Sequence, residues 1–184
     1  LFSWEELRES LDSFRDRGLA DQRLQLSVVD TGCAALWRPH KTVVELDIHV
    51  NDEELEKGLK YIRNHRGITD VILSAPLDVI DLLPTVRKVV GHLRVIDHVN
   101  AVRLRSLAFN YHPEGYTRVV IDTLGGLNKL SIANPMKVEI ETRFLHSCEI
   151  RDCHKRLATA LMEKGITVYS NTLLLAAIND SKGE

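Results

Sequence analysis

Cys33 opens the stretch Cys-Ala-Ala-Leu-Trp37-Arg38-Pro-His40-Lys41, in which an indole and an imidazole follow the thiol at the spacing of a metal-ligand loop. A thiolate and an imidazole can each ligate a soft metal, whereas an indole N–H only donates, so the stretch supplies two donors. An iron–sulfur cluster takes more sulfur than that. Cys33 and His40 also have the residue types of a nucleophile and its base, but no oxyanion donor or third orienting group can be identified beside them. A buried structural cysteine is the plain alternative.

A second constellation is His146, Cys148, Cys153 and His154. Structural zinc favours close cysteine pairs matched by a second pair, while Cys153 and His154 are adjacent on a predicted helix and point about 100° apart. Cys153 therefore reads as a small apolar residue beside Leu157, and His154 as a solvent-facing or interface residue. Gly125-Gly126 lacks the frame of a phosphate-binding loop and reads as a helix stop and turn.

The elements that must position these residues follow from periodicity. Ser3 and Glu6 form a capping box ahead of Trp4, Leu7, Leu11 and Phe14, which predicts a helix closed by Gly18 and sets residues 1–22 apart as an N-terminal helical extension. Its charged face reads as solvated, while Trp4 and Phe14 need cover from the domain or from a partner subunit. Leu24, Leu26 and Val28 alternate as a strand leading to Cys33, and Val44 to Val50 alternate with Glu45, Asp47 and His49 as a segment buried on one face. Asn51 caps a helix whose inner face is Leu55, Leu59 and Ile62, with Glu54 at its third position. The apolar run from Asp70 to Ser74 reads as a buried parallel strand, and Pro84 fits the first turn of a helix through Val86, Val89, Val90 and Leu93.

The alternation continues with a strand at Ala101–Leu104, a helix over Tyr116–Leu124 and a strand at Val138–Thr142. A helix whose core face holds Ile150, Leu157 and Leu161 ends at Gly165, before a last strand at Ile166–Tyr169. About five βα units predict a parallel sheet with right-handed crossovers, hence an α/β fold of partial-barrel form over residues 23–184.

Composition narrows the functions. A chain of 184 residues that is 44% apolar and 27% charged can bury one full core. Its formal charge of -2 and lack of a basic run give no footprint for nucleic acid. No stretch has the length of a membrane span, and three cysteines do not make a disulfide framework, so the expectation is a cytoplasmic protein without a membrane partner.

From about Leu24 to Asp180 the chain resembles the lysine 2,3-aminomutase family of radical S-adenosylmethionine (SAM) enzymes. His146-Ser-Cys-Glu-Ile150 looks like the family's His-Pro-x-Glu-Ile. The run from Tyr169 through Ser170, Asn171 and Thr172 to Asp180 resembles Gly-Asn-Gln-Ser-Val-Leu-Leu-Arg-Gly-Val-Asn-Asp. Tyr61-Ile62-Arg63, Asp70-Val-Ile-Leu-Ser74, Ile96-Asp-His-Val99, Val102-Arg103 and Pro113-Glu-Gly-Tyr-Thr117 match in collinear order. The resemblance implies the incomplete (β/α)6-type, TIM-like barrel of that superfamily, its site at the C-terminal ends of the strands.

It also implies site residues. Cys33 matches the first cluster ligand, the remnant of a metal motif, and Arg38 and Ser74 match positions on the cofactor side. Asp180 and Asn171 match the substrate side, Asp180 where the family receives the substrate's ammonium group. The other positions depart. Trp37 and His40 replace two cluster cysteines, Ala75-Pro76-Leu77-Asp78 stands where the family has Gly-Gly-Asp-Pro against SAM, and Thr42 replaces the arginine that holds the substrate carboxylate. The chain stops at Glu184, ahead of the lysine that carries pyridoxal phosphate in the family. The expectation is thus a degenerate relative, a pseudoenzyme with a binding or scaffold role, no cofactor, and a second copy or an active homologue as partner. The alternative is an active aminomutase, an isomerase with a [4Fe–4S] cluster, SAM and pyridoxal phosphate.

Overall fold

The computed structural model describes residues 28–29, 42–128 and 135–172. The expected helix over 1–22, the segment with Cys33, Arg38, Trp37 and His40, and Asp180 lie outside the described residues.

Six strands form one sheet in the order of the chain. Strand β1 is Val28–Val29 and β2 is Thr42–Asp47, after which helix α1 (Asp52–Asn64) leads to β3 (Ile68–Ser74). A short 3-10 turn and α2 (Leu83–Arg94) lead to β4 (Ala101–Arg105). The one-turn α3 (Ala108–Tyr111) and then α4 (Arg118–Leu127) precede β5 (Lys137–Thr142), and α5 (Asp152–Met162) precedes β6 (Thr167–Ser170).

Strands β2 to β6 pair in parallel. With right-handed crossovers, a sheet whose spatial order equals its sequence order receives every helix on the same face. The core agrees. Val44, Leu46, Val71, Leu73, Val102, Leu104, Val138 and Ile140 from the strands belong to one buried cluster with Leu55, Leu59 and Ile62 of α1, Val86 to Leu93 of α2, Leu124 of α4, and Leu157 and Leu161 of α5.

Local chemistry explains the boundaries. The Asn51 carboxamide accepts from Glu54 N at 2.9 Å and starts α1 as its sequence predicts. Gly165 adopts φ +75°, which closes the turn from α5 into β6. No helix among the described residues is long and apolar enough to cross a membrane.

Four expectations are corrected. Strand β1 runs antiparallel to β2, with Val28 opposite Leu46; the twelve residues joining them are at the lower limit for a parallel crossover. Helix α4 does not stop at Gly125-Gly126 but passes through both to Leu127, because Gly125 serves a close approach: a Cβ there would lie 3.0 Å from the Lys164 side chain. Ile150 is 47% exposed, since it closes a 3-10 turn ahead of α5 and does not lie on its core face. His154 is buried at 2% exposure. Its Nδ1 accepts from Arg151 N at 2.9 Å, so its Nε2–H donates to the Asn110 carbonyl at 2.9 Å, and its ring stacks near Phe109. With both ring nitrogens matched, this imidazole is a core residue.

Candidate functional site

Strand residues alternate between two faces, and the face turned away from the helices carries Glu45, Asp70, Ile72, Arg103, Arg105, Glu139, Glu141 and Tyr169. Arg103 and Arg105 on β4 lie directly opposite Glu139 and Glu141 on β5. The carboxylates are withdrawn from solvent: Asp70 is fully buried and Glu45, Glu139 and Glu141 are 7–8% exposed.

Two clusters result. Arg103 donates from Nε to Glu139 at 3.0 Å and from Nη2 to Asp70 at 3.3 Å. Its partners have other donors as well, since Thr69 Oγ1 donates to Asp70 at 2.8 Å and Tyr169 Oη to Glu139 at 3.2 Å. The Tyr169 ring also lies 5.4 Å from the Arg103 guanidinium carbon. Arg105 donates to Glu141 through Nε at 3.0 Å and contacts it through Nη2 at 2.9 Å. Its Nη1 is 2.6 Å from Glu45 Oε2, an ion pair that lacks the alignment of a hydrogen bond.

Burial alone would lower the pKa of both guanidiniums, but the carboxylates outweigh it and raise both. Burial first, and then the Glu139 charge, raises that of Tyr169. The four carboxylates facing two guanidiniums carry a formal excess of two negative charges. Such a layer can hold positive charge or be neutralised by it.

The C-terminal ends of the strands are built by backbone closure. Ile48 N donates to the Ser74 carbonyl at 2.9 Å and Asn171 N to the Thr142 carbonyl at 2.8 Å. The expected site residues Ser74 and Asn171 therefore share this edge of the sheet. They sit three strand spacings apart, about 14 Å along the sheet. Beyond Ser74, Asp78 accepts from Ile80 N at 3.2 Å and from Ala108 N at 2.8 Å, which latches the β3 exit to α3. Glu149 accepts from Leu145 N and from Asn110 Nδ2, both at 3.0 Å, and so fixes the loop after β5.

The chain is 29% identical to L-lysine 2,3-aminomutase of Methanococcus maripaludis over 160 residues, 84% of this chain and 35% of the relative. It is 29% identical to that of Clostridium subterminale over 128 residues, 70% and 29% of the two chains, and 26% identical to that of Acetoanaerobium sticklandii over 136 residues, 74% and 31%. The chain is related to the L-lysine 2,3-aminomutases. It spans about a third of the length of the aminomutases it matches. No family model matches the chain.

Against the aminomutases, the motif His146-Ser-Cys-Glu-Ile150 has a structural role: His146 caps a 3-10 turn by accepting from Cys148 N at 3.1 Å, and Glu149 locks the turn to Asn110. Among the described residues no three His, Cys, Asp or Glu side chains converge to hold a metal. Sequence reasoning missed the Arg-carboxylate layer. Its signal was Arg-x-Arg in β4 and Glu-x-Glu in β5, two patterns that align once the strands are neighbours in parallel register. A groove of about 450 Å³ between α1 and α2, lined by Leu55, Leu59, Lys60, Arg63, Lys88 and His92, lies on the helix side of the sheet, away from these charges.

Proposed function

We propose that this chain is an aminomutase-related α/β protein of partial-barrel form that serves in binding or as a scaffold and does not initiate radical chemistry. The observation that carries the reading is the β3 exit. Where the resemblance calls for glycine backbone against SAM, Ala75 places a β-carbon and Pro76 a ring without an N–H, and Asp78 then pins the loop to α3. The donor set supports the same reading. A [4Fe–4S] cluster would draw on the Cys33 segment, where Trp37 and His40 stand at the second and third ligand positions, so one thiolate is offered where three are called for. The residues present do not fit the cluster.

Long side chains of β4 reach β2 and β6 across the intervening strands, as Arg105 does to Glu45 and Arg103 to Tyr169. This favours a face that is concave, as in a barrel wall. Partners follow the same logic. Strand β6 pairs only with β5 among the described strands, and its other edge is where a second copy or an active homologue would dock.

The relatives' shared name favours the second reading, an active amino-acid isomerase using a cluster, SAM and pyridoxal phosphate. Anaerobic expression with iron and sulfide supplied, followed by metal analysis, decides between them. Colourless protein without stoichiometric iron is the expected result. Brown protein with about four irons per chain, turning over lysine with SAM and reductant, would overturn the proposal.

A further inference from the structure

We propose that Arg105 is a built-in counter-ion, its guanidinium occupying a cation site formed by Glu45 and Glu141 and so closing the inner sheet face to cationic ligands. The inference rests on the reading that this face is not given to SAM chemistry.

The two clusters on the face differ in one respect. Asp70 and Glu139 each have a hydroxyl donor besides Arg103, from Thr69 and Tyr169. For Glu45 and Glu141, Arg105 is the one side chain found within ion-pair distance among the described residues. Both residues are 8% exposed, and Glu45 Oε2 still lacks an aligned donor. They come from β2 and β5, which β3 and β4 separate in the sheet, so the backbone holds them apart and a planar, forked cation from β4 spans the gap. The Arg105 side chain keeps 23% of its surface accessible, so a small cation entering from outside could reach the same place once that side chain is removed.

Removal of one partner from a buried pair leaves uncompensated charge, whereas replacement of the whole set by neutral groups of similar shape does not. Arg105→Gly is expected to melt about 10 °C below the native protein. Ethylguanidinium at millimolar concentration should restore several degrees of that loss with saturation, and should leave unchanged both the native protein and the variant E45Q/R105G/E141Q. Equal melting of R105G and native protein, absence of rescue, or equal stabilisation of all three proteins would overturn the proposal.

Where R105G does not fold, R105M and E45Q/R105M/E141Q are compared. The triple variant should fold with a midpoint near the native one and R105M should not, while equally poor folding of the two would overturn the assignment. The rescue is read in iron-free protein. Its failure is therefore separate from failure of the functional reading, which shows as cluster content.

Discussion

Asn128 joins three elements through the hydrogen bonds of its side chain. Its side chain is buried at 7% exposure just past α4. Oδ1 accepts from Val138 N at 2.8 Å at the start of β5, and Nδ2 donates to the Gly165 carbonyl at 2.7 Å and, more weakly, to the Lys164 carbonyl at 3.4 Å. Asn128→Ala strands the Val138 amide in a site that is 1% exposed, at a cost of about 1–3 kcal/mol, and also removes the bond to Gly165, worth about 1 kcal/mol. The expected loss is about 2–4 kcal/mol, a fall of about 4–16 °C in melting temperature for a chain of this size.

Asn128→Asp separates the two contributions. The carboxylate can still accept from Val138, but it faces the Gly165 oxygen with no proton to donate. Protonation restores that donor, so the folded-state pKa of the new Asp lies above its unfolded value of about 3.9. A raised folded pKa gives stability that is present below the unfolded value and is lost as pH rises through the folded one. The gap between N128D and the native protein should therefore be narrow near pH 4 and wide at pH 7. Urea unfolding followed by circular dichroism at several pH values, with the native profile subtracted, measures it. The reasoning is refuted if N128D tracks N128A at every pH, or if N128A lies within about 0.5 kcal/mol of the native protein, the ordinary range for surface changes.

Three further outcomes follow from local geometry. Gly165→Ala should cost about 2 kcal/mol in urea unfolding, because φ is +75° and the added Cβ would sit 3.0 Å from Asn128 Nδ2; combined with N128A it should cost less than the sum, since the two share that contact. Asn51→Ala should lower stability by about 1 kcal/mol and Asn51→Ser by much less, as only the cap to Glu54 changes. His154→Ala should cost about 2–4 kcal/mol by orphaning Arg151 N and the Asn110 carbonyl and opening a gap beside Phe109 and Phe144, while the same change at the exposed His112 should be nearly silent in thermal melts.

Most of the βα rhythm was legible because it is written in local signals: the Asn51 cap, the apolar run at β3, the Pro84 entry to α2 and the Gly165 exit from α5. Two of the misreadings share a cause, since each needed a neighbour distant in sequence. Gly125 looked like a helix stop until Lys164 was found against it, and His154 looked like a surface residue until Asn110 supplied its acceptor. The charged face was invisible for the same reason. Glu45 read as the polar side of a half-buried strand, the strand expected at Ala101–Leu104 stopped short of Arg105, and only register turns these residues and Glu141 into one layer. Ser74 and Asn171 share one edge of the sheet, yet the types of those two residues did not tell how far apart they stand.

Agreement between spatial and sequence order has a consequence for how the protein is made. Paired residues such as Val44 with Val71, or Val102 with Val138, are 27 and 36 positions apart, so each strand meets its neighbour soon after leaving the ribosome. Growth by accretion of this kind needs no late threading. A unit could be added or removed at the β6 margin while the hydrogen bonds already formed between earlier strands stay as they are.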